Sequence, residues 1–237
     1  MKFTMMSNIG TYHVKLNGEN EDVVCYDSDK GKNVITLADG VSTCNEAKKG
    51  AEITSHAITN LFLKKGSFFL ESDQKQVTKW ALSHVLHELK RQADKDSKAI
   101  EEYSSTLSSV FVDEKNGKML CFNLGDNIIF ATGNGRCCVL AMPENSSDGC
   151  SVTTTKNASI MVTTKIIETS KIDAVIICSD GAWKQMYQKN KMKPEIHDLL
   201  VNHKFDDLKR YFQSRNSMDD CSFISMNLEQ KNGRRPA

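Results

Sequence analysis

Apolar residues along this chain recur with two periods, and the change from one to the other divides it into segments. The first forty residues read as strands. Residues 11–16 alternate in part, residues 22–26 follow an acidic pair, and residues 27–33 are turn-forming by composition. A fully apolar run, Val34-Ile35-Thr36-Leu37-Ala38, then ends at Asp39. Helical spacing takes over at residues 45–65, where Ala47, Ala51, Ile53, Ala57, Ile58, Leu61 and Phe62 share a stripe that Gly66 closes. Asp73 is placed to cap a second helix, with the stripe Val77, Trp80, Ala81, Val85, Leu86 and Leu89.

The middle reads as a meander over residues 105–112, 118–124, 127–132 and 136–141, with Asn116-Gly117 and Gly133-Asn134-Gly135 at its turns. Residues 143–158 are polar and predict a loop or lid. In the last third, residues 159–168 and 172–179 predict strands, residues 182–188, 195–202 and 205–214 short helices, and residues 223–227 a closing strand. Strands grouped around helix pairs indicate α+β rather than a repeating βαβ fold. No linker or internal repeat is visible, so one domain over residues 1–237 is expected, with its core at about 10–228.

Composition narrows the partners. With 26% charged residues and three prolines the chain is globular, and its net charge of +1 gives no electrostatic argument for nucleic acid or an anionic membrane. The basic tail at residues 231–237 reads as a solvated terminus. The opening residues lack the apolar core of a secretory signal, and no apolar run approaches the ~20 residues that span a bilayer. Eight cysteines are scattered without a Cys-x-x-Cys pattern, which predicts reduced thiols and a cytoplasmic protein. His84 and His87 lie one helical turn apart but lack an acidic partner, so they are read as packing or surface residues.

The candidate chemistry is acidic. Asn20-Glu21-Asp22, Asp39-Gly40, Ser179-Asp180-Gly181 and Asp219-Asp220 each border a β-like apolar run. Carboxylates that converge from strand ends are costly unless a cation neutralises them. An oxygen-only ligand set suits Mg²⁺ or Mn²⁺, and paired ions of that kind activate water and clamp a phosphoryl oxygen. In this reading Asp39 bridges two ions and Gly40 offers its carbonyl. Asp180 and Asp219 complete one shell, and Glu21 and Asp22 orient the other ion.

Together with Ser105-Thr106 and Asn123-Leu124-Gly125-Asp126, these motifs stand in an order and spacing that resembles the PPM, or type-2C, metal-dependent protein phosphatases, with a bacterial-like compact length. The resemblance spans about residues 10–228. It implies a four-layer α-β-β-α sandwich of two antiparallel sheets flanked by helix pairs. It also implies hydrolysis of phosphoserine or phosphothreonine in proteins by a hydroxide held between the ions, and a third, looser ion at Asp126. The implied partners are a phosphoprotein substrate and a cognate Ser/Thr kinase, and a monomer is expected.

The chain departs from the family pattern near the site. Val41-Ser42-Thr43-Cys44 replaces the usual hydrophobic residue, two glycines and histidine, so the family's proposed general acid is missing and Cys44 stands near its place. The phosphate-binding arginine is also missing. Counting back four residues from Glu21 gives Asn17, and Lys15 is the nearest cation. Ile128 and Ile129 replace the arginine that often follows Gly-Asp. These departures leave two other readings open, a non-catalytic phosphoprotein-binding module on the same scaffold and a phosphatase for a small metabolite.

Overall fold

The computed structural model describes residues 1–144 and 149–228. The basic tail at 231–237 and residues 145–148 of the polar loop lie outside the described residues. Its strands are β1 Lys2–Asn8, β2 Asp22–Asp29, β3 Lys32–Asp39, β4 Leu107–Asp113, β5 Lys118–Leu124, β6 Ile128–Gly133, β7 Arg136–Ala141, β8 Thr163–Glu168, β9 Ala174–Cys178, β10 Tyr187–Gln188, β11 Lys191–Met192 and β12 Cys221–Asn227. Its helices are α1 Thr11–Lys15, α2 Ala47–Phe69, α3 Gln74–Asp96, α4 Asp180–Met186, α5 Pro194–Val201 and α6 Phe205–Gln213.

Two antiparallel five-stranded sheets face each other, one ordered β2-β3-β4-β5-β8 and the other β1-β12-β9-β6-β7. Each strand explains its own apolar run. In β3, Val34 packs outward under α2 and α3, whereas Ile35 and Leu37 point between the sheets. In β9, Ala174, Ile176 and Cys178 face α4–α6, and Val175 and Ile177 face the other sheet. Side chains alternate along a strand, so a run apolar on both parities is a strand buried on both faces. Three apolar slabs therefore separate four layers, which is the expected α-β-β-α sandwich.

The long helices form on their predicted stripes, but Gly66 does not close the first: α2 runs on to Phe69, and Gly66 sits inside it because a Cβ there would lie 2.6 Å from the Phe111 ring. Asp73 caps α3 by accepting a hydrogen bond from the Gln76 amide at 3.1 Å. Trp80, counted in the predicted stripe, is 39% exposed and stacks on Phe69 at the edge of the helix pair instead of entering the core.

Residues 11–16 correct the sequence reading, because they form the short helix α1 and not a strand. The Thr11 and Tyr12 amides donate to the Ser217 and Met218 carbonyls, and the Val14 amide closes a turn on Gly10. That docking buries His13 and leaves Tyr12, Val14 and Leu16 exposed, the reverse of what the alternation suggests. The neighbouring segment that does pair as a strand is β1, along the full length of β12. Three further shifts are local. The strand predicted at 159–168 starts only at Thr163, after a 3₁₀ turn at Ala158–Ile160. The predicted turn at 27–33 narrows to residues 30–31, and the helix predicted at 182–188 starts at Asp180 and gives way to the β10–β11 hairpin. No helix among the described residues is long and apolar enough to cross a membrane.

Candidate active site

The strand ends bring the acidic motifs to one edge of the sandwich. Asp22 opens β2 and Asp39 closes β3, and the antiparallel register sets them directly opposite each other. Like charges at such a pair repel. Among the described residues, both oxygens of the buried Asp22 lack a hydrogen-bond partner, as does Oε2 of Glu21. Burial raises the Asp22 carboxyl well above its usual range despite the Ser222 and Ser179 hydroxyls nearby. Burial also raises Asp39, and the carboxylates of Asp22, Asp180, Asp126 and Asp219 push it further. Glu21 is raised by burial, with Ser42 and His13 offsetting part of the effect.

Asp180 arrives from the other sheet, at the first position of α4 just after β9. Ser179 fixes that junction. Its amide donates to the Ser222 carbonyl at 2.9 Å, and its hydroxyl accepts the Ser222 amide at 3.0 Å. Gly181 lets the chain pass, since a Cβ there would lie 2.0 Å from the Asp220 carbonyl oxygen. Gly40 plays the same part beside Asp39, with a virtual Cβ 2.6 Å from the Ala47 carbonyl oxygen. Asp126 and Asp219 are both raised by desolvation first and by the Asp180 charge second.

The remaining motifs form the scaffold behind these groups. Thr106 accepts the Asp39 amide with its hydroxyl at 3.0 Å and donates its own amide to the Asp39 carbonyl at 2.8 Å. The same hydroxyl accepts from the Asn127 side chain, and Asn123 in turn donates to the Asn127 carbonyl. Asp220 is a brace. Its carboxylate accepts the Gly10 amide at 2.7 Å and the Glu21 amide at 2.6 Å, and lies 3.0 Å from His13 Nδ1. That leaves Asp219, which is exposed and whose side chain accepts from the adjacent Asp220 amide, as the outward-facing member of the pair.

Three residues at the site escaped the sequence reading. His13 is buried, with Nε2 3.3 Å from Ser42 Oγ and 3.7 Å from Glu21 Oε2, so it links α1 to the loop after Gly40. Lys184 donates to Asp180 Oδ2 at 2.6 Å. Partial desolvation pulls its ammonium down, but the Asp180 bond and the charges of Asp180, Asp126 and Asp219 outweigh that and raise it. Lys48, on α2, donates to the Asp22 carbonyl at 3.0 Å. Only Lys184 left a local signal, its i, i+4 spacing from Asp180. Of the residues singled out in sequence, Cys44 turns its thiol to the Glu101 carbonyl at 3.2 Å, and Lys15 lies exposed on α1.

The donor set is all oxygen and fits hard divalent cations. The orphaned oxygens of Asp22, Glu21 and Asp180 and the raised carboxyls of Asp22 and Asp39 are what a cation would relieve. Among the described residues, no group of three or more acidic, histidine or cysteine side chains is arranged to hold a metal ion.

A family model described as "Protein phosphatase 2C" matches residues 9–211. Among solved structures, the fold is similar to a bacterial serine phosphatase, at a TM-score of 0.71 and 16% identity over 98% of this chain and 100% of that one. It is also similar to the serine/threonine phosphatase Stp1 from Staphylococcus aureus, at a TM-score of 0.68 and 15% identity over 97% and 96% of the two chains. The serine/threonine phosphatase of S. agalactiae gives a TM-score of 0.69 and 14% identity over 96% and 99%. No curated protein matches by sequence. The chain belongs to the protein phosphatase 2C family, which bears out the family and the enzyme class expected from its motifs.

Proposed function

We propose that this member of the family hydrolyses phosphoserine and phosphothreonine in proteins with Mg²⁺ or Mn²⁺ held at the carboxylate edge. One observation carries the reading. Carboxylates from β2, β3 and the β9–α4 and β12 junctions act on one another there, and oxygens of Asp22, Glu21 and Asp180 are buried without a hydrogen-bond partner among the described residues. A buried carboxylate without a partner is a large penalty, and a divalent cation is the partner that suits it.

In this reading Asp39 would serve both ions and the Gly40 carbonyl would bind beside it. Asp180 and Asp219 complete one shell, and Glu21 and Asp22 orient the other. When bound, such ions neutralise the phosphoryl oxygens and lower the pKa of a bound water. The chain supplies the positioning: Thr106 holds the Asp39 backbone from both sides, and Asp220 with His13 holds the Glu21 segment against β12. Lys15, on the exposed face of α1, is the cation assigned to the substrate phosphate, acting as a point charge. A phosphoprotein substrate implies a Ser/Thr kinase that makes it.

The test is release of phosphate from phosphothreonine peptides and from p-nitrophenyl phosphate with added Mn²⁺. Turnover is expected, with loss on chelation. A protein that binds the peptide but titrates with no Mn²⁺ would instead be a non-catalytic module, and one that turns over only small metabolites would shift the substrate class.

A further inference from the structure

One carboxylate of the edge already meets an ammonium, that of Lys184. Asp180 is 7% exposed, and its two oxygens part ways: Oδ2 accepts from Lys184 at 2.6 Å, while Oδ1 has no partner and is left for another cation. Lys184 lies one helical turn beyond Asp180 on α4, and the next residue back, Trp183, donates its indole N–H to the Asp126 carbonyl at 2.8 Å. That bond ties α4 to the Asp126 loop, so the turn that carries Lys184 and the backbone of Asp126 move together. The charges of Asp126 and Asp219, with that of Asp180, act on the Lys184 ammonium.

We propose that Lys184 is a resident counter-cation of the site, paired with Asp180 on the helix that is tied to the Asp126 loop, and that it takes the place of a third divalent ion, so that the chain takes up two ions and not three. The proposal rests on the metal-dependent reading above and revises one part of it, the looser ion expected at Asp126. A tethered monovalent charge neutralises half of what a divalent ion does, and it is present at any metal concentration. Its tether is also short: an i, i+4 pair on a helix holds lysine and carboxylate together without any other element. The side chain is 59% exposed, so exchanging it disturbs no packing.

Mn²⁺ titration of the metal-stripped full chain tests this, with binding followed by calorimetry and by the paramagnetic resonance signal of free Mn²⁺. The expected stoichiometry is two Mn²⁺ per wild-type chain. Lys184→Gln, which removes the charge and offers an amide oxygen, is expected to gain a third, weaker equivalent, whereas Lys184→Arg keeps the charge and stays at two. Three equivalents on the wild type, or no gain in Lys184→Gln, would overturn the proposal and leave the metal-dependent reading intact. No Mn²⁺ uptake by the wild type would overturn both.

Discussion

The carboxylate edge has two unlike halves. On the β2–β3 side, Asp22 and Asp39 face each other with no ion pair to either among the described residues. Asp22 is buried with both oxygens orphaned, and the groups that act most on Asp39 after its burial are other carboxylates. On the β9–α4 side, Asp180 has Lys184 at 2.6 Å, and only one of its oxygens is left over. Both halves have the same carboxylate chemistry, and each has one buried member, Asp22 or Asp180. What separates them is local secondary structure: a helix places i and i+4 side by side, whereas the end of an antiparallel strand pair places two carboxylates opposite each other. The first half leaves its carboxylates uncompensated, and in the second one carboxylate already carries a lysine.

That contrast can be broken at its strongest point first. Asp39→Asn is expected to cut phosphopeptide turnover with Mn²⁺ by at least ~10²–10³-fold, the scale of losing one preorganised charge-stabilising group. The same substitution removes a half-buried carboxyl repelled by its neighbours, so in EDTA its thermal midpoint is expected to rise. A fall in midpoint would show that Asp39 is not strained in the metal-free protein.

His13→Ala tests the brace that aligns the two halves. Its ring spans Asp220 and Ser42, and a hydrogen bond to a charged group contributes ~1.5–3 kcal/mol. Roughly tenfold lower turnover is expected, with a raised Mn²⁺ midpoint, because Glu21 loses its support. Unchanged Mn²⁺ affinity would make His13 a packing residue only.

The pH response separates the halves by protonation. A carboxyl raised in the folded state binds more protons folded than unfolded, so stability falls as pH rises from the ordinary carboxylate range toward the raised one. Burial raises both Asp22 and Asp39, so in EDTA the thermal midpoint is expected to drop between about pH 5 and about pH 8. Asp22→Asn should flatten that slope, and saturating Mn²⁺ should also flatten it. A wild-type midpoint that rises over this range would contradict the uncompensated state of the β2–β3 half.

Lys15→Ala is the mildest change. An exposed lysine acting as a point charge is worth ~1 kcal/mol or less, so kcat/KM should fall by less than about fivefold and mostly through KM. A much larger loss would make Lys15 the principal phosphate cation and shift weight from the cluster to α1.

The core of the fold was legible because both faces of its strands are buried. Val34 to Ala38 and Ala174 to Cys178 are apolar at every position but one, and such runs have one stable use in a chain of this composition. The α2 and α3 stripes were legible for the matching reason, a 3.6-residue period sustained over 23 residues each. Residues 11–16 were not. Their local alternation favours a strand, but docking on Ser217 and Met218, about two hundred residues away in sequence, turns them into a helix. Lys184 was hidden by an error of two residues. A helix begun at Ala182 leaves Asp180 outside it, and the i, i+4 pair vanishes from view.

The sequence by itself determined which residues are acidic at the ends of buried strands, and so the family and the chemistry open to it. A carboxylate bordering an apolar run is a local feature, and the order of such borders survives without knowledge of the fold. Only the tertiary structure decided which carboxylates are neutralised and which are not. His13 meets Asp220 across 207 residues, and Asp22 meets Asp39 through sheet register, contacts that no local period encodes. Charge balance at a site is set by distances in space, and those exist only once the two sheets have closed on each other.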